Sequence, residues 1–130
     1  MKILIGYDGS NSAKDALILA KDHAKAFNAD VVVITSMVEV NYAQYEDVQQ
    51  AELGLEYAKT LLEEDNIPCE TQLLIRGHSP GEDLVKFAED NQINEIVVGV
   101  RRRSKVGKLL MGSTAQYVIL NASCPVVTIK

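Results

Sequence analysis

Five short apolar runs constrain what this chain can fold into more than anything else in it: Ile3-Leu4-Ile5, Val31-Val32-Val33-Ile34, Leu73-Leu74-Ile75, Ile96-Val97-Val98 and Val126-Val127-Thr128-Ile129. They are largely continuous rather than alternating with polar residues, the pattern of strands covered on both faces. The third run is preceded by Glu70-Thr71-Gln72, a polar start that suits an edge strand over Glu70 to Ile75. Between the runs, apolar residues recur at helical spacing. Ala13, Ala16, Leu17, Ala20, Ala24 and Phe27 predict a helix from about Ser12 to Phe27, closed by the turn Asn28-Ala29-Asp30. Val48, Ala51, Leu55, Ala58 and Leu62 predict a longer one ending near Asp65-Asn66, beyond which Pro68 blocks continuation. Ser79-Pro80-Gly81-Glu82 joins a capping hydroxyl, a proline suited to the first helical position and a glutamate able to reach back to the cap amide. The helix it opens runs through Leu84, Val85 and Ala88 to about Asn91, and Ala115, Val118, Ile119 and Ala122 mark a last one. From Met37 to Tyr45 the pattern is loose.

The order is therefore βαβαβαβαβ. Alternation of buried strands with amphipathic helices specifies α/β: a single three-layer domain over residues 1–130, a five-stranded parallel sheet with helices on both faces. Its crossovers are expected to be right-handed, and its ligands to bind beyond the carboxyl ends of the strands where strand order reverses. Strands one and four, followed by Asp8 and by a basic loop, are the expected neighbours at that point.

That loop spans Gly99 to Thr114 and carries Arg101, Arg102, Arg103, Lys105 and Lys108 with no acidic residue among them. The whole chain has a net charge of −5; without those five cations it holds 8 basic against 18 acidic residues, a balance of −10. A local positive island on an acidic molecule suits a small polyanion, not nucleic acid, which needs a broad basic face. A strand opening into a glycine-bracketed basic loop and then a helix N-terminus has the means to hold phosphate. A solvated loop whose arginines pair with acidic neighbours is the plainer alternative. Both readings stand at this point.

Other chemistry is poorly supported. No segment approaches the ~20 apolar residues of a membrane span, and the apolar core near Met1 is too short for a signal peptide, so a cytoplasmic, membrane-free protein is expected. Cys69 and Cys124 form no CxxC and read as plain thiols, and His23 and His78 lack partners at metal-ligand spacing. Gly107-Lys108 is followed by Leu109, so this is no Walker A loop; there is no Gly-x-Gly-x-x-Gly and no Gly-x-Ser-x-Gly.

Taken together and in order, several stretches resemble the universal stress protein family over the whole chain. They are Lys2-Ile3-Leu4-Ile5-Gly6-Tyr7-Asp8-Gly9-Ser10, Arg76-Gly77-His78, the helix Glu82 to Glu89, Ile96-Val97-Val98-Gly99, and Cys124-Pro125-Val126-Val127. The resemblance implies a Rossmann-like, adenine nucleotide alpha hydrolase-like arrangement of the sheet. The nucleotide-binding branch of that family carries Gly-x2-Gly-x9-Gly-Ser/Thr after strand four. Here Gly99 and Gly112-Ser113 match, and Arg102 stands at the middle glycine.

Carried onto this sequence, the resemblance implies ATP as ligand, with or without Mg. Gly6 precedes Asp8, which would face adenine or ribose, and Ser36 would offer backbone to the base. Gly99 would lie under ribose or phosphates, and Gly112, Ser113 and Thr114 would bind phosphate, with Arg101 and Arg102 gripping it by side chain. Each has a plainer role: Asp8 as holder of the turn before the first helix, Ser36 as a small residue at a strand end, Ser113 as a helix cap. Tyr42 and Tyr45 would either stack on a base or pack on the second long helix. The expected function is a stress-response regulator binding an adenine nucleotide; the alternative is a family member that binds none and works as a dimeric docking module. Any hydrolysis is expected to be slow and incidental, since the obvious carboxylate, Asp8, belongs at the far end of the ligand from the phosphates. Pairing of the apolar C-terminal strand, Val126 to Ile129, with a second copy is expected to make a homodimer.

Overall fold

The element order in the computed structural model, which describes residues 1–39, 41, 44–100 and 111–130, matches the alternation of the sequence. It reads β1 (Lys2–Gly6), α1 (Asn11–Phe27), β2 (Asp30–Met37), α2 (Tyr45–Glu64), β3 (Cys69–Ile75), α3 (Pro80–Asp90), β4 (Glu95–Gly99), α4 (Ser113–Asn121) and β5 (Val126–Ile129). All strands are parallel, in the order β3-β2-β1-β4-β5. Both edge strands, β3 and β5, are those with mixed burial, while β1 and β4 are wholly enclosed along most of their length.

Alternation of side chains along each strand sorts the core into two halves. Ile3, Ile5, Val31, Val33 and Val97 point to the face covered by α1 and α2, where Ala16, Leu17, Ala20, Leu55, Ala58 and Leu62 meet them. Leu4, Val32, Ile34, Ile96 and Val98 point to the other face, against Leu84, Val85, Ala88, Ala115 and Val118 of α3 and α4. Each fully buried aliphatic side chain here contributes about 1.5–3 kcal/mol relative to exposure. The result is the expected three-layer α/β sandwich of helices around one sheet.

Local signals set the helix ends. Ser10 caps α1, its Oγ accepting from Ala13 N at 3.2 Å, so the helix starts at Asn11, next to the expected Ser12; Asn28, in left-handed conformation, ends it. The capping box of α3 forms as its sequence predicts: Ser79 Oγ accepts from Glu82 N, and Glu82 Oε1 accepts from Ser79 N, both at 3.4 Å. At two positions the apolar pattern overstates burial. Phe27 is 54% exposed because it is the last residue of α1, where its ring lies edge-on to that of His23 with centroids 5.6 Å apart. Ile119 is 39% exposed because α4 turns its other side toward α3, where Gly81 comes so close to Tyr117 that an added Cβ would lie 2.8 Å from it.

Candidate functional site

Strand order reverses between β1 and β4, and the chain leaves their carboxyl ends in opposite directions. After β1, Tyr7 N still donates to Ile34 O at 2.8 Å, which holds the next residues against the sheet. Asp8 then turns the chain: its Oδ1 accepts from Ser10 N at 2.9 Å, and Gly9 follows with φ of +80°. Asp8 is thus the turn holder, while Ser10 is the helix cap. Thr35 Oγ1 donates to Tyr7 O at 2.7 Å and pins the same bend from β2. Burial pushes the Tyr7 phenol above its ordinary value of 10.0, with Tyr57 and Asp8 adding to the effect; the Tyr7 and Tyr57 rings stack at 6.5 Å.

Three cavities open at this point; one, of about 680 Å³, runs from Tyr7, Asp8 and Ser36 to Gln50, Gly54 and Tyr57 of α2, and the other two adjoin toward α4. The first of these two, of about 130 Å³, has apolar walls from Ile34, Leu84 and Val98, with Gly6 and Ser36 at the strand ends. The second, of about 370 Å³, is polar and is bounded by Asn11, Ser12, Gly112 and Ser113. Asp8, Ser10, Ser12, Gly99 and Thr114 line both, so the two form one elongated depression with an apolar and a polar end.

The polar end is the start of α4. The residue in the cap position is Gly112, with φ −67° and ψ 159°, and among the described residues no side chain caps the helix. This corrects the reading of Ser113 as cap: Ser113 is the first helical residue, because the extended backbone that defines a cap falls one position earlier. The first N–H groups of a helix have no partner within it. In α1 and α3 a serine oxygen takes one of them; in α4 no side chain of the cap residue can.

Gly99 has a structural reason of its own. A Cβ there would lie 2.4 Å from the Ser12 carbonyl oxygen and 2.7 Å from its carbon. The first turn of α1 therefore sits on β4 where only a glycine fits, which brings Ser10 and Ser12 into the depression.

Ser36 carries a contact that sequence reasoning missed. Its Oγ donates to Asp83 Oδ2 at 2.5 Å, and Asp83 Oδ1 accepts from Arg76 Nη2 at 3.0 Å and Nε at 3.3 Å. Asp83 is fully buried on α3. Helical spacing places Asp83, four residues before Phe87, on the inward flank of α3, but nothing in the sequence names Ser36 as its partner.

The structure brings Gly6, Asp8, Ser36, Gly99, Gly112, Ser113 and Thr114 together around the depression. Arg101 and Arg102 lie outside the described residues, as do Arg103, Lys105, Gly107, Lys108 and Tyr42. Tyr45 opens α2 and is 64% exposed, so it does not pack on that helix.

A parallel sheet with a cleft at the β1/β4 switch point and a helix N-terminus at one end is the architecture of open, doubly wound α/β proteins. The chain belongs to the universal stress protein family, whose profile matches residues 1–130. A universal stress protein of Thermus aquaticus is 34% identical over 134 residues, spanning 98% of this chain and 97% of the relative. The structure of a universal stress protein from Archaeoglobus fulgidus superimposes with a TM-score of 0.91 at 35% identity, covering 100% of this chain and 98% of that one. A universal stress protein from the same organism, solved in complex with dAMP, gives a TM-score of 0.83 at 30% identity, with 100% and 98% coverage.

Proposed function

We propose that this chain is a stress-response regulatory protein that binds an adenine nucleotide, ATP in the first instance, in the depression at the carboxyl ends of β1 and β4. The observation that carries the reading is the pairing of an apolar cavity with a polar one that ends at the glycine-capped N-terminus of α4. A purine would occupy the apolar end, against Gly6, Ile34, Ser36 and Leu84. Ribose would lie beside Asp8 and Gly99, and phosphates would meet the N–H groups of Gly112, Ser113 and Thr114. Arg101 and Arg102 would add side-chain charge to the phosphates, with or without Mg. The dAMP complex of a 30% identical relative supports an adenine ligand.

The reading assigns no catalytic step. Asp8 is the one carboxylate among the described residues that line the two cavities, and its Oδ1 is engaged by Ser10 N. The protein would act in the cytoplasm, as a homodimer joined along β5, with the nucleotide biasing what the dimer docks on. A second reading, a dimeric docking module without nucleotide, is favoured by Arg102 at the middle motif glycine and by the exposed Tyr117, Ile119 and Leu120 of α4.

Isothermal titration with Mg-ATP, beside an Arg102→Gly variant, separates them. Binding by the parent that is lost when Arg101 and Arg103 become Ala is the expected result. Binding only by the glycine variant would mean that Arg102 closes an otherwise intact site. Binding by neither would overturn the nucleotide reading and leave docking as the function.

A further inference from the structure

We propose that Asp83 and Arg76 act as positioning residues that make the Ser36 hydroxyl a hydrogen-bond acceptor toward the base cavity, so that the site selects purines carrying a 6-amino group. The inference rests on the nucleotide reading above and adds to it a side-chain determinant of which base is taken.

The chemistry follows from one proton. A serine hydroxyl has a single O–H and two lone pairs, and an ionised carboxylate accepts only. Asp83 faces the Arg76 guanidinium, which donates to Oδ1 through Nη2 and Nε. Its Oδ2 takes the Ser36 proton at 2.5 Å. Asp83 is fully buried, so no water competes for that proton from its side. Ser36 lines two cavities, and because its Oγ turns toward Asp83 on the α3 side, its remaining lone pairs are left for the apolar one it shares with Leu84. A ligand group meeting it must donate.

Position along the depression says which group that is. Ser36 lines the apolar cavity and not the polar one at α4. With phosphates at Gly112–Thr114, the part of the purine nearest Ser36 is the edge farthest from the sugar, where the 6-substituent stands. An amino group there donates to Oγ; a hydrogen or a carbonyl oxygen cannot.

Replacing Asp83 with Asn should reverse the polarity. Arg76 still demands an acceptor at the Oδ1 position, which fixes the amide oxygen there and sets the NH₂ group at the former Oδ2. That NH₂ donates to Ser36, and the hydroxyl proton is released toward the cavity. Ser36→Ala removes the group altogether.

The test is the affinity ratio of AMP to purine riboside 5′-monophosphate, which differs only by lacking the 6-amino group, measured by titration calorimetry on the full chain. The parent is expected to prefer AMP. The preference should fall by about tenfold in Ser36→Ala, the worth of one net hydrogen bond, and by at least as much in Asp83→Asn. A merely structural role for Asp83 would weaken both nucleotides alike and leave the ratio unchanged. An unchanged ratio in Ser36→Ala, with AMP still bound, overturns the inference while the nucleotide reading survives; this variant decides the matter if Asp83→Asn fails to fold. A parent that binds neither nucleotide overturns both.

Discussion

Substituting Gly99 with Ala tests whether this glycine is held by packing rather than by a ligand. The added Cβ would sit 2.4 Å from the Ser12 carbonyl oxygen, 2.7 Å from its carbon and 2.8 Å from its Cβ. Two of those three atoms are backbone in the first turn of α1, so no rotamer change relieves the contact. Either α1 lifts at its N-terminus or β4 bends away, and Val97, two residues back on the face that α1 covers, is wholly buried. Overpacking of this kind costs about 1–3 kcal/mol. For a domain of this size each kcal/mol lowers the melting temperature by roughly 3–5 °C, so the ligand-free protein should melt about 3–15 °C lower. Differential scanning calorimetry without nucleotide is the assay. Gly9→Ala is the comparison: it meets nothing within 4 Å and acts only through its φ of +80°, an effect of about 1–2 kcal/mol. A Gly99→Ala protein melting within 1 °C of the parent would refute the packing argument, and the glycine would then have to be explained by ligand approach alone.

Further outcomes follow from the ends of the helices and the sheet. The Asp65 carboxyl is held below its ordinary value of 3.8 by hydrogen bonds from Lys25 and then Lys21, which tie the end of α1 to the end of α2. A depressed folded pKa gives stability that is present above pH 3.8 and lost as pH falls through the folded value. Asp65→Asn should therefore flatten the acid limb of an unfolding-against-pH curve below pH 4, and an unaltered limb would count against the pairing. Pro125 O, just before β5, accepts from Ile96 N of β4, and Ile129 O, at its end, accepts from Val100 N just beyond β4, so the backbone of Val126 and Thr128 faces the open edge. Thr128→Pro removes an outward N–H while sparing the β4 ladder, and should convert the proposed dimer to a monomer in sedimentation velocity; a dimer of unchanged size, or a parent that is itself a monomer, would count against pairing along β5.

Much of this architecture was legible because its causes are local. Short β-branched runs such as Val31–Ile34, set off by turn residues, read as strands buried on both faces, and Ser79-Pro80-Gly81-Glu82 writes its own helix start. That strands one and four would be neighbours was legible from the place where parallel sheets reverse their strand order, and with it the meeting of Asp8 and Gly99; the full order β3-β2-β1-β4-β5 came from the structure. What escaped depended on contacts between distant segments. Ser36 and Asp83 are 47 residues apart, and no spacing rule joins a strand end to a buried helix carboxylate. The cap of α4 was misassigned to Ser113 because residue preference favours serine, whereas the backbone places Gly112 there. Gly99 matched a phosphate-loop motif, but its steric need comes from Ser12, 87 positions earlier. Ile119 followed helical periodicity and still faces outward, since α4 leans on α3 as well as on the sheet.

The most direct test of nucleotide binding at the β1/β4 cleft is a ¹⁵N–¹H correlation spectrum of the protein titrated with AMP. Saturable shifts concentrated at the amides of Ser36, Gly99 and Gly112 to Ala115 are the predicted result. Shifts confined to other surfaces, or none at millimolar AMP, would contradict it.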